Sequence, residues 1–169
     1  MPLKPAIGTT DHKKGNEKAS IQIVEYGDYQ CPYCKAAHPI VKEIQQTFGD
    51  QILFVFRNFP LKQSHRFALV AAQAAEAAAV QNKFWTMHDA IYENQDQLSD
   101  AFLFYLAEQI DLDVDQFQTD LEAEDISKKV EDDFESGVRS GVNGTPSFFI
   151  NGEKFDGGAA DLFNMLKVE

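Results

Sequence analysis

Cysteine is nearly absent from this chain, which contains two among 169 residues. Two thiols cannot build a multi-bridge disulfide framework or a four-thiolate zinc site. The four histidines, His12, His38, His65 and His88, are scattered rather than set at metal-ligand spacing. Basic charge is also scarce: 15 Lys and Arg stand against 27 Asp and Glu, a formal net charge of −12, which argues against a nucleic-acid-binding face. The acid is concentrated in residues 89–135, where 16 carboxylates meet only Lys128 and Lys129, a local net of −14. That stretch reads as the solvated surface of a helical block, with docking of a basic partner as the rarer use. No apolar run approaches the ~18 residues of a membrane span. Met1-Pro2-Leu3-Lys4-Pro5 lacks the apolar segment of a secretory signal. Neither membrane nor nucleic acid is therefore expected as a partner. Taken as written, the chain reads as cytoplasmic, or as periplasmic or otherwise extracytoplasmic if a leader has been trimmed. Residues 1–19 are polar, with Gly, Thr and Lys, and read as a flexible N-terminal arm. Internal repeats and low-complexity tracts are absent.

What is present is a core: 44% of residues are apolar, including 14 Phe, enough for one domain with an insertion. The two cysteines also stand together, as Cys31-Pro32-Tyr33-Cys34. A disulfide in so small a ring restrains almost none of the chain, because cross-linking entropy grows with loop length. The pair is a poor staple and a good reagent. Strand-type Ser20–Tyr26 precedes it, Gly27–Gln30 makes a turn, and Ala36, Ala37, Ile40, Val41, Ile44 and Phe48 follow at helical spacing up to Gly49. The dithiol is thus expected at a helix start with Pro32 in the first turn, where its missing N–H costs nothing. Free N–H groups and the helix dipole there favour a thiolate. Cys31 is the expected nucleophile. Cys34, one turn further in, is the expected resolving thiol.

Along the chain, Gln51–Arg57 reads as a second, buried strand parallel to the first. Five helices are expected between about Ser64 and Ser140, with Ser99 and Asp113 as caps. Ser147–Ile150, the turn Asn151-Gly152 and Lys154–Asp156 read as a hairpin, and Ala160–Leu166 as a closing helix. The order is βαβ, a helical block, then ββα.

With Cys-Pro-Tyr-Cys after the first strand, this order looks like a thioredoxin fold with an all-helical insertion. The chain resembles the DsbA family of thiol:disulfide oxidoreductases over residues 20–169. The stretches that carry the resemblance are Val24–Gln30, Phe56–Leu61, Lys83–His88 and Val142–Gly152. The resemblance implies a thioredoxin-like domain from residues 20–62 and 141–169, with an insertion at 63–140. It implies a cis peptide at Thr145-Pro146 beside the dithiol, leaving Thr145 free to hold an extended substrate through its backbone. It implies that Glu25 is a buried acid able to relay a proton to or from Cys34. The alternation Ile21, Ile23, Glu25 agrees with burial. Pro32 and Tyr33 are the redox-tuning positions. Strongly oxidising members carry histidine where this chain has Tyr33, and the Pro-Tyr pair also occurs in glutaredoxins, so a milder potential is expected. Lys35 reads as a surface residue near the thiolate and His38, one turn after Cys34, as a packing residue.

The expected function is thiol–disulfide exchange with protein or peptide thiols, recycled by a redox partner the sequence does not identify, with no cofactor and no metal. Alternatives are an isomerase, a glutathione-linked enzyme, a binding module with a redox switch, and a metal chaperone. Serine normally stands in place of Cys31 in the glutathione-linked kappa type, which counts against that reading.

Overall fold

The structure, a computed structural model, describes residues 1–168. Five strands form one sheet in the order β1-β3-β2-β4-β5, where β1 is His12–Gly15, β2 Ile21–Gly27, β3 Ile52–Asn58, β4 Ser147–Ile150 and β5 Glu153–Phe155. β2 and β3 run parallel, joined by helix α1 (Pro32–Phe48), and the other pairings are antiparallel. Between β3 and β4 lie α2 (Ala68–Val80), α3 (Phe84–Glu93), α4 (Asp100–Gln109), α5 (Val114–Leu121) and α6 (Glu124–Arg139). Helix α7 (Ala159–Leu166) closes the fold. The expected fold class, a thioredoxin fold with a helical insertion, is the observed one.

Local chemistry accounts for most boundaries. Ser99 and Asp113 cap α4 and α5, accepting bonds from the N–H groups of Phe102 and Gln116. Asn151 and Gly152 both adopt positive φ, 49° and 84°, as a two-residue primed hairpin requires. Gly49 ends α1 at φ 45°.

Both sheet faces are covered, so the central strands are almost wholly apolar. Ile23, Phe54, Phe56 and Phe148 face a cluster built with α1, α2, α3 and α7. Val24, Tyr26, Leu53, Val55 and Phe149 face a second cluster that takes Leu3, Phe59 and, from α6, Phe134. The Phe59 and Phe134 rings stack at 4.3 Å. Helix α6 reaches the sheet at Gly137, where a Cβ would lie 2.7 Å from the Phe59 ring.

The N-terminal arm is a correction. Residues 1–19 were expected to be loose, yet β1 pairs with β3, Leu3 is buried, and Pro2 bridges to Glu153. The reason is a charge the sequence does not show to be buried. Arg57 is 2% exposed. Its Nε and Nη2 donate to the two Asp11 oxygens at 2.8 and 2.9 Å, and Nη1 donates to the Tyr26 hydroxyl and to the Pro5 carbonyl. A guanidinium in so dry a place needs its carboxylate, and the carboxylate is on the arm. Glu76, also buried, draws in His12 in the same way at 2.8 Å. Asp11→Ala is expected to cost about 3–5 kcal/mol by leaving Arg57 buried and unpaired. Urea unfolding measures this; a loss under about 1 kcal/mol would mean that the arm contributes little.

Candidate active site

Strand β2 ends at Gly27 and α1 begins at Pro32, so four residues carry the chain from the sheet to the dithiol. Gly27 has no room for a side chain: a Cβ there would meet the Phe56 ring at 2.5 Å and the Tyr92 hydroxyl at 2.7 Å. The turn is then tied down residue by residue. Asp28, fully buried, accepts from the N–H groups of Gln30 at 2.8 Å and Leu61 at 3.0 Å, and binds His65 Nδ1 at 2.7 Å. The Tyr29 hydroxyl meets His88 Nδ1 at 2.8 Å. The Gln30 side chain accepts from the N–H of Phe67 at 2.7 Å.

Cys31 is the N-cap of α1, with Pro32 in the first turn and Cys34 one turn in. The two thiols are free in this structure. Their surroundings drive them apart. Cys31 is held down from the ordinary thiol range to about 5, first by a hydrogen bond from the Cys34 thiol. Thr145 and the N–H groups of Cys34 and Tyr33 add to this, against the opposing effect of burial. Cys34, fully buried, is pushed well above the ordinary range by burial, by the bond it makes to Cys31, and by the Glu25 carboxylate. Two thiols tuned in opposite directions are what a nucleophile and a resolving group need.

Thr145 faces the pair from a cis Thr145-Pro146 peptide. The Cys31 thiol donates to the Thr145 carbonyl at 3.6 Å. The Thr145 hydroxyl is buried and otherwise unpartnered, so it is available as a donor to the thiolate. Ser147 is the first residue of β4 paired to β2, so the Thr145 backbone lies outside the ladder. Beside the thiols runs a groove of about 500 Å³ lined by Tyr33, Ala36, Ile40, Pro146 and Ala159 among others. Tyr33 is 76% exposed on its rim.

Glu25 lies on β2, 3% exposed, and burial raises its carboxyl to about 8. Its charge, when ionised, adds to the upward push on the Cys34 thiol. Pro32 is exposed in the first helical turn. Lys35 is a surface residue paired loosely with Asp96 at 4.0 Å. His38 is buried against the Tyr92 ring at 5.1 Å, and burial lowers its pKa. Asp28, Tyr29, Gln30 and His88 lie in stretches that carry the family resemblance, but no bonds of theirs were expected from the sequence. Nothing local marks those bonds, since every partner lies at least 33 residues away except that between Gln30 and Asp28.

The residues nearest to a metal-binding set are His38, His88 and Asp89, whose ligand atoms lie within 4.8 Å of one another. Lys42 already pairs with the Asp89 carboxylate at 3.5 Å. An ammonium in that position competes directly with a cation, and the cluster reads as packing between α1 and α3.

The fold and the paired thiols define the class: a thioredoxin-fold protein with a Cys-X-X-Cys pair. The sequence model of the family described as Thioredoxin matches residues 8–165, and the chain belongs to that family. Two solved structures agree closely. A thioredoxin-like oxidoreductase from Silicibacter pomeroyi is 26% identical, with a TM-score of 0.81 over 95% of this chain and 92% of the other. The thiol-disulfide exchange protein α-DsbA2 of Wolbachia pipientis is 28% identical, with a TM-score of 0.82 over 94% and 84%. A curated relative, the Na⁺/H⁺ antiporter NhaA 1 of Salinispora arenicola, is 42% identical over 155 residues. That match covers 92% of this chain and 24% of the relative, so the chain spans about a quarter of that protein's length. No helix among the described residues is long and apolar enough to cross a membrane.

Two outcomes follow from these shifts. Alkylation of Cys31 is expected to rise with pH around 5 and then level off, because the thiolate persists above that pKa. A rise centred near 8.5, the value of a free thiol, would remove the activation. Glu25 stays neutral in the fold while it ionises in the unfolded chain. The stability it contributes is therefore complete below pH 4.5 and lost as pH rises towards about 8. Glu25→Gln is expected to stabilise the protein by about 3 kcal/mol at pH 7 and to change little at pH 4. Denaturant titrations at the two pH values check the sign.

Proposed function

We propose that this chain is an enzyme that exchanges disulfides with protein or peptide thiols through Cys31 and Cys34. The observation that carries the reading is the opposed tuning of the two thiols, one favoured as thiolate and the other kept protonated and dry. In the reducing direction the Cys31 thiolate attacks a substrate disulfide, joining to one sulfur and releasing the other as a thiolate. Cys34 loses its proton, with the ionised form of Glu25, the minority form at neutral pH, as the acceptor, and attacks Cys31. The substrate leaves with two thiols and the enzyme holds the Cys31–Cys34 disulfide. In the oxidising direction a substrate thiolate attacks Cys31 of that disulfide and the steps reverse. The Thr145 backbone, outside the ladder, and the apolar groove beside Pro146 suit an extended peptide segment.

The same tuning bears on the direction. Stabilising the thiolate stabilises the reduced form and makes the disulfide more oxidising. Histidine is not needed between the cysteines for this, because the donors to Cys31 come from Cys34, Thr145 and the helix backbone. A thiol near 5 lies between thioredoxin, at ≈7, and DsbA, at ≈3.5. The potential of the couple is accordingly expected between about −270 mV and about −120 mV.

Equilibration with glutathione buffers measures the potential, and a value outside that range would overturn the expected tuning. The roles separate in a trapping experiment: Cys34→Ala is expected to accumulate a mixed disulfide on Cys31. Equal adducts on a Cys31→Ala variant would overturn the assignment.

A further inference from the structure

The dithiol helix begins at a peptide bond that has lost half of its polar handles. Pro32 has no N–H, so the peptide joining Cys31 to Pro32 can be held by hydrogen bonds only through the Cys31 carbonyl. Rotation of that plane changes the Cys31 backbone angle ψ, here 124°, and moves Sγ relative to Cys34 and Thr145. The carbonyl is held from two sources. One is the N–H of Lys35, within α1 at 3.1 Å. The other is Gln95 Nε2 at 2.8 Å, from the short 3₁₀ turn Gln95–Gln97 between α3 and α4. The same amide nitrogen donates to the Tyr29 carbonyl at 2.9 Å. An amide NH₂ has two hydrogens, and these bonds use both. Gln95 therefore clamps the two carbonyls that flank Gln30, from an element 64 residues away in sequence.

We propose that Gln95 is a positioning residue for Cys31: its amide fixes the Cys31–Pro32 peptide plane and so ties the helical insertion to the orientation of the nucleophile. The proposal rests on Cys31 being the exchanging thiol. Gln95 touches neither sulfur nor substrate and acts through the carbonyl it holds. What the position requires is a donor of suitable reach, not an amide as such. Lysine meets that requirement, with three N–H donors and a positive charge. Leucine removes the donors at similar size. Glutamate replaces them with an acceptor that repels both carbonyls and a thiolate.

The test is titration of the Cys31 thiolate by its ultraviolet absorbance in the full chain carrying Cys34→Ala, with Gln95, Gln95→Leu, Gln95→Glu or Gln95→Lys. Loss of both bonds, the one to the Cys31 carbonyl above all, should raise the Cys31 pKa by about half a unit in the leucine variant, roughly threefold less thiolate at a given pH below the midpoint. The glutamate variant should rise further, and the lysine variant should titrate at or below the Gln95 protein. A purely structural role would move all three in the same direction, and that result, or no movement in any, would overturn the proposal. The readout needs no substrate, so it is separate from the exchange reading. Exchange that fails in the wild-type chain while the ordered pKa series holds would count against the proposed function alone. Normal exchange with a flat series would count against Gln95 alone.

Discussion

A thiolate at the start of α1 can persist only if the donors around it are already aimed when the proton leaves. Every other feature of the site answers to that requirement. Cys31 takes its donors from Cys34, from Thr145 and from the first N–H groups of the helix. These belong to the helix itself and to a turn 114 residues downstream. A modest shift of the helix start or of the cis turn would lengthen all of these bonds together. Charge-assisted hydrogen bonds are short-range interactions, so rigidity here is chemistry rather than ornament.

The rigidity is imported. The four residues between β2 and α1 make few bonds among themselves, and their polar groups are satisfied by the insertion and the residues leading into it. The insertion is more than a lid placed beside the redox centre. It provides the walls against which the turn is set, and its aromatic face with His88 fills the space beneath Tyr29. On the second face of the sheet the N-terminal arm is tied down through Asp11, partner of the buried Arg57, while on the other face its His12 pairs with the buried Glu76.

Burial also explains the asymmetry between acids that look alike in sequence. Glu25 and Glu76 are both buried glutamates. Glu76 has His12 and Asn58 as partners and is held below the usual carboxylate range. Burial alone acts on Glu25, which rises to about 8 and is suited to hold a proton near neutrality. The difference lies in which neighbours the fold delivers.

Much of this was legible beforehand because it depends on short-range rules. Periodicity marked β2, β3 and the helices. Ser99, Asp113 and Asn151-Gly152 announced their own turns, and the spacing of Cys31 and Cys34 around Pro32 placed the dithiol at a helix start. Those features need only the residues next to them. The packed N-terminal arm was not legible, because a polar stretch is loose or ordered according to whether a buried charge elsewhere needs it. Nor was the role of Gln95, a polar residue in a turn with no pattern of its own. The order of elements and the site of the chemistry are thus encoded locally. The opposed tuning of the two thiols and the clamp on their approach are decided in three dimensions, where burial and long-range donors set the energy of each charge.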